Sequence, residues 1–159
     1  MEFLEKDLEQ IIYESTIEDL NKAGLSIIGK RFRQLRIGNY GVADIVTFHR
    51  YSGTLNITIY ELKKDKAGIS AFLQGLRYCK GIDSYIRDFR NKDIDIVYRI
   101  FIIGREIDTN SDYIYLTDFL NGNICYCYDF RVYNYSYKYN IDGLKFHLEG
   151  GYKLTNENF

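Results

Sequence analysis

Residues 41–78 constrain this chain more than any other stretch: GVADIVTFHRYSGTLNITIYELKKDKAGISAFLQGLRY. Two runs rich in β-branched and aromatic residues, 42–51 and 54–63, flank Ser52-Gly53. Ser-Gly between such runs is a turn signal, so the stretch predicts a β-hairpin. A two-residue turn pairs Tyr51 with Thr54 and, counting outward, Asp44 with Glu61. Strand residues two apart share a face. Leu55, Ile57, Ile59, Glu61 and Lys63 therefore line one side, matched by Asp44, Val46 and Phe48 on the partner run. Directly opposed carboxylates have Cβ atoms only ~5 Å apart and repel each other. An apolar face ending in Asp, Glu and Lys sets three charges at the rim of a core, where charges persist when paired or bound to a cation.

The flanking segments extend the pattern. Residues 2–21 read as a helix, with Leu4, Leu8, Ile11 and Ile12 at helical spacing and Gly24 as a stop. Glu5 lies along the core-facing stripe of that helix, and Glu9, one turn on, is nearly as well placed; a solvated helix charge is the plainer account of either. Residues 25–35 read as a first strand, with Lys30, Arg31, Arg33 and Arg36 crowded near its end. Four such cations suit phosphate contacts and equally suit an edge strand blunted by charge. After the hairpin, Ile69–Phe89 reads as a long helix, softened at Gly75 and Gly81, with Gln74 and Tyr78 on one face. Asp95–Gly104 is a near-continuous apolar run, as expected of a strand buried on both faces. Strand, long helix and buried strand make a parallel crossover, right-handed by the general rule. A short helix is expected over 112–120 and a last strand over 144–147. Between them Tyr133, Tyr135, Tyr137 and Tyr139 alternate, suiting either stacked bases or the packed face of a strand.

At 159 residues, 46% hydrophobic and 27% charged, the chain predicts one domain, 1–159, with a real core. Its core falls at about 5–104, with a Tyr-rich β extension over 105–159. The net charge of −1 argues against a broad nucleic-acid-coating role but not against a small local site. Cys79, Cys125 and Cys127 are odd in number and lack the spacing of a zinc site, which fits a reducing cytoplasm. The acidic, amphipathic N-terminus is unlike a signal peptide, and no run is long enough to span a membrane.

Two carboxylates and a lysine on adjacent strands suit metal-assisted attack of water on a phosphodiester. Hard oxygen ligands favour Mg²⁺ or Mn²⁺ over zinc. Lys63 is placed to orient the water or to stabilise charge developing on phosphate. His49 and His147 are isolated, and no nucleophilic triad or glycine-rich phosphate loop competes.

Asp44, followed across the hairpin by Glu61-Leu62-Lys63, resembles the D…ExK signature of the PD-(D/E)XK nuclease superfamily. Gln74-x-x-x-Tyr78 resembles the QxxxY motif of its RecB-type branch, and the spacing from lysine to glutamine is similar to that of NucS-like endonucleases. EKDLEQII resembles the helix that precedes the site in such proteins and matches Glu5 to its acidic residue. The resemblance implies an α/β, restriction-endonuclease-like core: a central mixed β-sheet in the order α-β-β-β-α-β, flanked by helices, here with extra C-terminal strands. It implies Mg²⁺- or Mn²⁺-dependent cleavage of DNA, with RNA left open. Asp44, Glu61, the Leu62 carbonyl and Glu5 would hold the metal, Glu5 directly or through water. Lys63 would be catalytic, and Gln74 and Tyr78 would support the site and the approach of nucleic acid. Ala43 stands where many members have proline, and the separate DNA-binding domain of NucS-like and RecB-like proteins is missing. That absence points to a partner protein or a homodimer for substrate choice. The rival expectations are an inactive nuclease fold serving as a nucleic-acid- or protein-binding module, and a structural protein of a virus or mobile element.

Overall fold

The computed structural model describes residues 3–90, 93–121 and 129–150. From the N-terminus, α1 (Glu5–Glu14) and α2 (Ile17–Lys22) precede three antiparallel strands, β1 (Lys30–Arg36), β2 (Val42–Tyr51) and β3 (Thr54–Leu62). The hairpin forms with the expected register, from Tyr51 opposite Thr54 to Ile45 opposite Tyr60. Ser52 and Gly53 both take positive φ, 50° and 81°, which matches turn twist to strand twist.

A two-residue strand, β4 (Lys66–Ala67), leads into α3 (Ile69–Phe89), and the chain returns as β5 (Asp95–Gly104), parallel to β3. β6 (Glu106–Ile107) pairs with β4, and α4 (Tyr113–Leu120) precedes β7 (Phe130–Asn140), parallel to β5. β8 (Gly143–Glu149) closes the sheet antiparallel to β7. The six-stranded sheet thus runs β1-β2-β3-β5-β7-β8, a mixed α/β sheet flanked by helices. Strand alternation splits the apolar residues into two cores. Val46, Ile57, Ile59, Ile100 and Ile102 pack on the α3 side. Ile45, Tyr60, Leu62, Phe101 and Ile103 pack with Leu8 and Ile12 of α1 and Leu20 of α2.

Three local expectations need correction. The helix read over 2–21 is two helices, broken at Ser15-Thr16. Thr16 Oγ1 accepts from Asp19 N–H at 3.0 Å, capping α2. Arg31 donates to the carbonyls of Ile12 and Ser15, acceptors that a continuing helix would have used for itself. The first strand starts at Lys30 rather than 25, because Gly29 takes φ +95° and Leu25 and Ile27 turn into the core with α1 and α2. Finally, α3 runs unbroken through Gly75 and Gly81. At Gly75 the helix lies close on the sheet: a Cβ there would meet Ile100 Cγ2 at 2.7 Å.

The tyrosine alternation resolves mainly as packing. Tyr135 and Tyr137 are buried, Tyr133 packs against the same core, and Tyr139 is half-exposed beside Phe3. Cys79 is a buried free thiol in the α3-side core; Cys125 and Cys127 lie outside the described residues. Among the described residues, no helix is long and apolar enough to cross a membrane.

Candidate active site at the end of the hairpin

The hairpin ladder stops one step short of the two acids. Beyond the Ile45–Tyr60 pair, the Leu62 N–H no longer bonds to the backbone of β2; it donates to Asp44 Oδ2 at 3.3 Å. On its other side β3 stays locked to β5, where Lys63 N–H donates to the Ile103 carbonyl at 2.8 Å. The strands therefore part at the sheet's end with a carboxylate in the gap. Glu61 continues the Ile57–Ile59 face and is 2% exposed, yet its Oε1 has no hydrogen-bond partner. A buried, unpartnered carboxylate oxygen is costly.

Electrostatics reports the same crowding. Burial pushes the Glu61 carboxyl up to about 8, and repulsion from Asp44 adds to the shift while Lys63 opposes it. Burial likewise raises Asp44 to about 6, against the pull of the Leu62 N–H, with Glu5 and Glu9 raising it further. Near pH 5 both acids therefore keep protons that an exposed pair would largely have lost, and near pH 7 Glu61 alone does so.

The surrounding residues arrive from three elements. Lys63 Nζ donates to Gln74 Oε1 of α3 at 3.0 Å, which fixes the ammonium at the rim. Glu5, in the first turn of α1, accepts from Lys64 N–H at 3.3 Å. Helix α1 is aimed by Asp7, whose carboxylate takes the Leu4 N–H at 2.7 Å. Tyr78 packs its ring on Gly41, where φ is +116° and a Cβ would lie 3.1 Å from Tyr78 Cε1. Tyr78 thereby seats the start of β2, three residues before Asp44.

The structure thus gathers Glu5, Asp44, Glu61, Lys63 and Gln74, with Tyr78 behind them. Glu9, the other acid on the helix stripe, is taken elsewhere. It is 6% exposed and bound by Arg33 Nε at 2.6 Å and Gln34 Nε2 at 2.9 Å. Two of the four strand cations consequently have intramolecular tasks, Arg33 on Glu9 and Arg31 on the end of α1. Lys30 lies over the Phe32 ring at 5.2 Å, and Arg36 borders an apolar groove of about 980 Å³ between β1 and the second half of α3. None of Glu5, Asp44 and Glu61 lines that groove.

Two residues of the site escaped the sequence reading. Arg77 acts on Glu61 electrostatically, lowering its pKa. It stands three residues after Gln74, a helical neighbour spacing that offered the clue. Tyr137 Oη donates to the Lys64 carbonyl at 2.8 Å, fixing the segment that carries Lys63. Nothing local to β7 signals that contact.

The donor chemistry suits a hard divalent cation. Asp44 and Glu61 bring two carboxylates together, one with an unpartnered oxygen, beside the Leu62 backbone. Among the described residues, no three His, Cys, Asp or Glu side chains form a metal cage by themselves. Glu5 stands back from the pair, on the Lys64 amide. Comparisons with protein-family models, curated proteins and solved structures returned no match for this chain.

Proposed function

We propose that this chain hydrolyses phosphodiester bonds of nucleic acid, DNA in the first instance, with Mg²⁺ or Mn²⁺, as a nuclease of PD-(D/E)XK type. The observation that carries the reading is the buried Glu61 oxygen without a partner, set beside a second raised carboxylate. A cation bound between Asp44 and Glu61 would relieve both the repulsion and the unmet oxygen. When bound, such an ion lowers the pKa of a water and stabilises charge on phosphoryl and leaving oxygens.

The chain's own residues supply the rest. Asp44 and Glu61 would hold the ion in their ionised forms, with the Leu62 carbonyl as a further oxygen donor. Glu5 would hold a water beside them while keeping the Lys64 amide in place. Lys63, held by Gln74, orients the attacking water and meets negative charge growing on the phosphate. Arg77, on the same face of α3, adds positive potential toward the scissile group.

A second reading, an inactive fold working as a binding module, draws support from the net charge of −1, which supplies no broad positive field to gather nucleic acid for cutting. One experiment separates the two. Labelled single-stranded, duplex and branched DNA is incubated with wild type and Lys63→Ala in Mg²⁺, Mn²⁺ or EDTA. Metal-dependent cutting by wild type, reduced at least ~100-fold in the variant, is expected. No cutting on any substrate, together with no metal binding by calorimetry, would overturn the proposal in favour of the module.

A further inference from the structure

The sheet face that carries α1 and α2 is not fully covered. Toward the hairpin turn it holds a cleft of about 550 Å³, bordered by strands and by Ser26 and Ile28, and no residue of a described helix lines it. Arg99 stands in this cleft. Its Nη1 donates to Asn56 Oδ1 at 2.8 Å, and no described carboxylate forms a salt bridge with it. A guanidinium has five donors, so the bond to Asn56 orients the cation and leaves its charge without a carboxylate among the described residues. Asn56, Thr58 and Tyr60 line the cleft, whereas Glu61 continues the Ile57–Ile59 face, so the cleft and the buried acid lie on opposite faces of the sheet.

The walls around Arg99 are aromatic. Phe101 and Tyr133 meet edge to face, centroids 5.3 Å apart at 72°. Tyr51, 72% exposed, lies near-parallel to His49 at 6.5 Å. A fixed cation among aromatic faces matches a ligand with a planar part and an anionic part joined within a few ångströms. A nucleotide has that composition. Its base must be unstacked to lie on a side-chain ring, which a single strand permits and a duplex resists. The volume is that of a site for one small molecule.

We propose that this cleft binds an unpaired nucleotide of a single-stranded nucleic acid, with the base against Tyr51 or Tyr133 and the phosphate on Arg99. The inference deepens the nuclease reading by naming its substrate class, and rests on that reading only for the link between cleft and cut.

Binding is measured by fluorescence anisotropy in EDTA, with a labelled oligothymidylate and a duplex of equal length. The proteins are the full chain, Tyr51→Ala and Arg99→Gln, each checked for wild-type unfolding temperature. Wild type should prefer the single strand. Tyr51→Ala should weaken it about 5- to 100-fold, the range one base-on-ring stack supplies. Arg99→Gln should weaken it and reduce the salt slope by about 0.7. Duplex bound as tightly as single strand, no binding at all, or two folded variants that bind like wild type would each overturn the assignment. A parallel cleavage assay in Mn²⁺ keeps the two proposals apart. Cutting by wild type with unaltered binding by the variants rejects the cleft and leaves the nuclease. Binding that the variants lose, with neither cutting nor metal binding by wild type, supports the cleft and rejects the nuclease.

Discussion

Replacing Glu61 by Gln removes the titrating group while keeping the side chain's shape, and its effect can be worked from the site. The Glu61 carboxyl sits at about 8 in the folded protein against 4.5 ordinarily, through burial first and Asp44 second. Between those values the folded state binds a proton that the unfolded chain has lost, so stability falls as pH rises from about 4.5 toward 8. At pH 7 the unfolded group is about 2.5 pH units past its midpoint. At 1.4 kcal/mol per unit this costs the fold about 3–4 kcal/mol relative to acid. Asp44 shares that cost, because the two acids titrate as a pair, and the new amide must find its own partners. Glu61→Gln should therefore stabilise the metal-free protein by about 1–3 kcal/mol at pH 7, raising Tm by about 2–4 °C per kcal/mol. The assay is thermal and urea unfolding of both proteins in EDTA from pH 4 to 8. The two curves should converge at pH 4 and separate as pH rises. Added Mg²⁺ or Mn²⁺ should stabilise wild type at pH 7 and leave the variant unmoved. A variant that is less stable by the same amount at every pH would refute the reasoning and make Glu61 a structural hydrogen-bonding residue.

Two further changes probe the frame around the site. Gly75→Ala would drive a methyl against Ile100 and lift α3 from the sheet, costing about 1–3 kcal/mol in urea unfolding; an unchanged midpoint would mean the helix has room to spare. Arg31→Ala removes the charged donor from the carbonyls of Ile12 and Ser15 and should cost about 1.5–3 kcal/mol. If Arg31 serves phosphate instead, that variant keeps its stability and flattens the salt dependence of DNA binding.

The hairpin was legible because its determinants are local. Ser52-Gly53 supports the positive-φ turn, and alternation on both sides leaves one register that buries Val46, Ile57 and Ile59 together. The bounds of α3 and β5 followed from periodicity and apolar run length in the same way. Legibility failed where a distant group intervened. The break at Ser15-Thr16 depends on Arg31, whose backbone lies in another element. The choice between Glu5 and Glu9 depends on Arg33 and Gln34, which occupy Glu9 and leave Glu5 to the Lys64 amide.

The sequence by itself determined the hairpin and its register, α3, β5 and the placing of Asp44, Glu61 and Lys63 at one end of a sheet, because turn chemistry and side-chain period act over a few residues. Only the tertiary structure decided that the strands part beside Asp44, that Glu61 keeps an oxygen without a partner, and that Tyr137 holds the Lys64 carbonyl across 73 residues. These contacts depend on how two helix layers settle on one sheet, and no local pattern carries that information.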